Sequence, residues 1–155
     1  MTIPSSDNTP ATLIKRLLAI CYDLLLLIAL LFTVGVIAAG IFTFTVNHGN
    51  AITDTHPAYP VYRMFILTLL LITAFLFYGW FWTHGGQTLG MKTWKIKLIS
   101  TDNQPISWSQ ALLRYLAVFL SWGVCGLGFI WALFNKEKKT WHDMLSNTRL
   151  IKLDP

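Results

Sequence analysis

Charge is what this sequence of 155 residues has least of. Only 12% of it is Asp, Glu, Lys or Arg, against about a quarter in an ordinary soluble domain. Acidic side chains are the scarcer kind, seven against twelve Lys and Arg, which leaves a formal net charge of +5. With 54% hydrophobic residues and a mean hydropathy of +0.53, the composition excludes a typical water-soluble globule and implies an integral membrane protein. Cysteine is rare too: Cys21 and Cys125 both lie in apolar runs without CxxC or zinc spacing, so no disulfide framework is expected. There is no GxxxxGK[ST] phosphate loop; His84-Gly85-Gly86-Gln87-Thr88-Leu89-Gly90 is glycine-rich but opens no βαβ unit, which excludes nucleotide binding. His48, Asp54 and His56 fit no metal-ligand spacing, so neither a metal nor another cofactor is expected. No nucleophile stands with a base and an orienting group, so the chain is not expected to be an enzyme. The basic residues cluster beside apolar runs and form no stripe with stacking aromatics. Topology and anionic headgroups explain them, and nucleic acid does not.

Long apolar runs are what it does have. Leu17 to Val46 is unbroken except for Asp23, with Lys15 and Arg16 at its lip. About 20 residues cross the hydrocarbon core of a bilayer. A secretory signal would have an apolar stretch of about 7–15 residues; this run is twice that, so a span over about 17–46 is expected. Seven residues, two helical turns, separate Arg16 from Asp23, which puts both on one face with the carboxylate about 10 Å deeper. An aspartate at that depth costs on the order of 2.5–3.5 kcal/mol and needs something to offset it. Gly35 and Ala39 offer a small-residue face for a neighbouring helix. Residues 1–12, rich in Ser, Thr, Pro and Asn, read as a flexible tail, and 13–153 as one membrane domain.

A polar loop, Asn47 to Pro60, leads to a second span over about 61–83, with Arg63 at its mouth and Tyr78, Trp80, Phe81 and Trp82 as an interfacial belt. Trp94-Lys95-Ile96-Lys97-Leu98 alternates as a half-buried strand does; after the turn Asp102–Pro105, Ile106 and Trp108 resume the alternation. A small amphipathic β-hairpin over about 92–108 is expected, with 148–153 as a possible further strand. The third apolar stretch, about 111–134, carries Arg114 one turn in and Gly123, Gly126 and Gly128 in its second half. A single third span would put Lys136, Lys138, Lys139, Arg149 and Lys152 opposite Lys15 and Arg16, against the positive-inside rule. Broken at its glycines into a re-entrant helical hairpin, it returns the tail to the cytoplasm beside the N-terminus. The fold class is therefore all-α multi-pass membrane protein with a small cytoplasmic β element.

Arg16 and Asp23 in the first span, the turn Gly86-Gln87-Thr88-Leu89-Gly90, the Arg114 helix, and Lys139-Thr140-Trp141-His142-Asp143 with Thr148 together resemble the RDD family of bacterial membrane proteins. The likeness runs over about residues 12–153. That family is named for one arginine and two aspartates, which Arg16, Asp23 and Asp143 match; family members more often have leucine where Trp141 stands. The resemblance implies a multi-pass inner-membrane protein, with Gly86 and Gly90 as structural glycines, for which transport, including cation/proton exchange, has been suggested.

Two readings of Arg16, Asp23, Arg114, His142 and Asp143 follow. In one they form an ion or proton site, with Asp23 as exchanging carboxylate and His142 and Asp143 passing protons to bulk, since histidine titrates near neutrality. In the other they are a polar clamp in a non-catalytic accessory subunit, tying the first helix to the tail. Transport further requires a homo-oligomer, because a 155-residue chain is too small to enclose a pathway; a clamp suits a subunit of a larger membrane partner. The expected discriminator is Asp23: in a wet cavity, or saturated by arginine.

Overall fold

A computed structural model describes residues 9–124, 127–135 and 139–153, with the backbone alone at 122, 129 and 133. Residues 1–8, Cys125, Gly126, the run Lys136-Glu137-Lys138, Asp154 and Pro155 lie outside the described residues. The elements in order are α1 (Leu13–Asn47), α2 (Tyr59–Thr83), α3 (Leu89–Thr93), β1 (Ile96–Ser100), α4 (Trp108–Gly123), α5 (Leu127–Phe134), α6 (Trp141–Leu145) and β2 (Thr148–Lys152). They divide into two compact units, one of Leu24–Phe77, the other of the chain up to Asp23 together with the chain from Tyr78 onward.

The Leu24–Phe77 unit consists of the apolar lengths of α1 and α2. At 35 and 25 residues and about 1.5 Å per residue, both helices are long enough for a hydrocarbon core of about 30 Å. Their apolar side chains point outward: in the most apolar 18-residue stretches only 6% of α1 and 11% of α2 is buried. A soluble protein would bury such surface. Gly35 lets the helices close, with Leu70 within 3.7 Å of where a Cβ would stand. Phe42 packs on Tyr62 and Phe65 at ring separations of 5.3 and 5.6 Å. Thr33, Thr45 and Thr73 return their hydroxyls to carbonyls four residues back, so these side chains satisfy their own polar groups within the helix.

The other unit has a conventional core of Ala11, Ala19, Trp82, Met91, Ile96, Leu98, Ile106, Ala111 and Leu150. Its sheet differs from the one expected. β1 pairs antiparallel with β2, Leu98 opposite Leu150 and Ile96 opposite Lys152, and Ile106 to Trp108 form no strand. The alternation there yields to a helix start: Gln110 N–H donates to the Ser107 hydroxyl while Ser107 N–H donates to the Gln110 side chain. This is a capping box that commits Trp108 onward to α4. Thr9 to Ala11, in the segment expected to be a tail, run along β2: Ala11 N–H donates to Leu150 O and Lys152 N–H to Thr9 O, each at 3.0 Å.

β1 and β2 close two copies of one module. Each begins with a threonine N-cap (Thr88, Thr140), continues through a five-residue helix and one left-handed residue (Lys95, φ 50°; Asn147, φ 49°), and ends in a five-residue strand. All these positions differ by the same 52, as do Leu98 and Leu150, which are register partners. The flanking bonds match: Thr101 N–H donates to Asn147 O and Leu153 N–H to Lys95 O. The strand pair therefore has a local dyad through Leu98 and Leu150.

The third apolar stretch is two helices, α4 and α5. α5 folds back on α4, so close that a Cβ on Gly128 would fall 2.7 Å from the Cβ of the buried Ser121. At 16 and eight residues neither is long enough to cross a bilayer alone.

Candidate functional site

Two polar nodes are built inside the second unit, and they do not share a carboxylate. The first centres on Asp143, which is fully buried. Its place is set by α6: Thr140 caps the helix, accepting from Asp143 N–H at 3.3 Å, and Thr140 N–H donates back to Asp143 Oδ2 at 3.0 Å. Arg16, near the start of α1, donates from Nε to Ala11 O and from Nη1 to Asp143 Oδ2 at 2.8 Å. Arg114, on the buried face of α4, donates from Nη1 to Asp143 Oδ1 at 2.5 Å and to the Thr148 hydroxyl at 2.8 Å. Its guanidinium carbon lies 5.4 Å from the Trp82 ring centroid, within cation–π range. Both arginines are buried, at 5% and 3% exposure.

The electrostatics follow from that packing. Burial pushes the Asp143 carboxyl up, but the Arg114 guanidinium, with His142, Arg16 and the Thr140 N–H, holds it well below the carboxylate range. His142 is buried with Nε2 4.0 Å from Asp143 Oδ1. Burial and then the Arg114 charge, with a smaller push from Arg16 and against the pull of Asp143, bring its imidazole down to about 3. At neutral pH it is uncharged, and the premise for a relay, titration near neutrality, does not hold for it.

The second node is Asp23, 2% exposed. Neither arginine contacts it, so it is not saturated by arginine as the clamp reading had it. The Thr88 hydroxyl donates to Oδ2 and Gly90 N–H donates to Oδ1 at 2.8 Å. Thr88 also accepts from Met91 N–H, so a threonine on one element and an aspartate on another jointly cap α3. Gly90 is required by proximity: a Cβ there would collide with Ala19 O and lie 2.9 Å from Asp23 Cγ. Gly86 is required by conformation, at φ 71°, and a Cβ there would also collide with Leu98 O; Leu98 N–H donates to the Gly86 carbonyl.

Of the residues singled out from the sequence, Arg16, Arg114, His142 and Asp143 come together, while Asp23 stands with Gly90 at the second node. Sequence reasoning missed Thr88, Thr140, Thr148 and Trp82 as site members. The Thr140-x-x-Asp143 spacing carries a capping-box signal that announces one of them; the others have no local signature.

Comparison with known proteins places these nodes in context. The family model described as RDD family matches residues 10–147, a span that includes Arg16, Asp23, Arg114 and Asp143. A proline-rich antigen of Mycobacterium leprae is 28% identical over 102 residues, covering 64% of this chain and 41% of the antigen. An uncharacterized protein of Bacillus subtilis is 31% identical over 86 residues, 55% of this chain and 56% of its own length. A homolog of the antigen from Mycobacterium tuberculosis is 30% identical over 79 residues, 46% of this chain and 33% of the homolog. The chain thus spans about half or less of these curated relatives. No solved structure matches it.

Proposed function

Since the chain belongs to the RDD family, we propose that it is a multi-pass inner-membrane protein acting as a non-catalytic accessory or scaffold subunit, held together at its cytoplasmic side by a polar clamp. α1 and α2 are the two spans. α4 and α5 enter the same leaflet from the cytoplasm and return, leaving both termini inside. The reading rests on one observation: every carboxylate oxygen of Asp23 and Asp143 already holds a donor from the protein. A cation in transit needs carboxylate oxygens free to replace its hydration shell, and a proton relay needs groups that titrate near working pH. What the donors do support is specificity, since buried ionic groups fix which elements meet.

The test is purified protein in liposomes loaded with a pH dye, given pulses of sodium, potassium or lithium. A clamp protein moves no protons, and Asp23→Asn lowers its thermal stability. Cation-driven proton movement by the wild type that Asp23→Asn abolishes while remaining inserted and folded would replace this reading with transport.

A further inference from the structure

The Asp143 node is unbalanced in charge. Two buried guanidiniums face one carboxylate, and among the described residues Asp143 is the only acid that contacts either. His142 adds no negative charge, and Asp23 is engaged elsewhere. One positive charge is left without a counter-charge in a place where uncompensated burial is costly. The node also has more donors than acceptors. Arg16 uses Nε and Nη1, and Arg114 uses Nη1 alone; the remaining guanidinium nitrogens hold no hydrogen bond among the described residues. The Trp82 indole N–H is buried and likewise has no acceptor, although its ring lies against Arg114. The free Nε–Nη2 edge of Arg114, the remaining Nη2 of Arg16 and an indole N–H, with a net positive charge among the described residues, match an oxyanion.

We propose that Arg16, Arg114 and the Trp82 N–H form a binding site for a phosphate oxyanion, which completes the charge of the node. A phosphodiester in an anionic lipid headgroup and free inorganic phosphate present the same oxygens to these donors. The site itself rests on the node's geometry; its occupation by lipid rests in addition on the membrane reading above. It is a different site from exposed lysines such as Lys92 and Lys95, which attract headgroups only through screened surface charge.

The test uses the full chain in a neutral detergent. Its unfolding temperature and tryptophan fluorescence are followed while phosphatidylglycerol, phosphatidylcholine or inorganic phosphate is added. Expected is a saturable rise in Tm with phosphatidylglycerol and none with phosphatidylcholine, persisting in 0.5 M salt as a buried contact does (roughly, three times the ionic strength at which surface pairs are already screened). Trp82→Phe keeps an aromatic ring against Arg114 and removes the N–H, and weakens binding about tenfold, the worth of one hydrogen bond to a charged group. Replacing Lys92 and Lys95 by alanine leaves binding unchanged. Native mass spectrometry of the wild type should retain one such lipid per chain, a readout independent of whether Trp82→Phe folds. A response to inorganic phosphate that matches the lipid's upholds the site and names the free anion as its ligand. Absence of a saturable response to either, equal affinity in a folded Trp82→Phe, or loss on removing Lys92 and Lys95 would overturn it.

Discussion

Asp143 is where a single atom matters most. Asp143→Asn keeps the shape and the Thr140 cap but leaves Arg16 and Arg114 buried with no counter-charge, so a loss of about 3–5 kcal/mol is expected in chemical unfolding. The double variant Arg114→Met with Asp143→Leu should lose less than the sum of its parts, because Arg114 is then not stranded by the loss of Asp143, while Arg16 still is. Acid should act in two stages. The folded chain keeps His142 neutral down to about 3, whereas the unfolded imidazole binds a proton below its ordinary value of about 6.5. The unfolded state therefore holds more protons through that window, and stability falls as pH drops below about 6.5. Asp143, depressed in the fold, contributes stability that is complete above the ordinary carboxylate value of about 3.9 and is lost below it. His142→Gln should flatten the first stage in a pH series of unfolding curves and leave the second. Charge scarcity made the need of Asp23 for a partner legible, and the family resemblance set Asp143 beside the arginines. The partners of Asp23 themselves were not legible: one is a backbone N–H, at a residue 67 positions away, and backbone donors have no sequence signature.

Among the elements, the close approaches decide. Gly90→Ala puts a methyl against the Ala19 carbonyl and the Asp23 carboxyl; about 1–3 kcal/mol of overpacking should appear as a lowered Tm. Gly128→Ala meets the Ser121 side chain instead, its Cβ included, so pairing it with Ser121→Gly should restore part of what it costs. The broken third helix was readable from its glycines, and so was the strand at Trp94 to Leu98, from its alternation. The segment after it was misread because three residues of alternation at 106–108 weigh less than the Ser107–Gln110 box that starts a helix there. The strand partner, 148–152, falls within the stretch 148–153 expected as a further strand; its register, set more than forty residues on, is what local periodicity does not carry.

At the scale of the whole molecule, the proposed topology predicts where reporters work. Alkaline phosphatase inserted in the loop between α1 and α2 should be active, and the same enzyme fused after β2 should be inactive, while a cytoplasmic fluorescent reporter gives the reverse. An active C-terminal phosphatase would mean that α4 and α5 together cross the membrane. Length and hydropathy made α1 and α2 plain from the sequence; the duplicated module was hidden because Thr88 to Ile99 and Thr140 to Ile151 share the N-cap, the Leu-Ile of the strand and little between. Its dyad bears on ancestry. A chain carrying one such thirteen-residue module could pair with its own copy and make the same ladder about the same axis. Having both modules in one chain frees each half from having to complement itself. The counterpart of Asp143 in the first module is Met91 and that of His142 is Gly90, so the ionic node occurs once, on one side of the axis, an asymmetry that two identical halves could never have acquired.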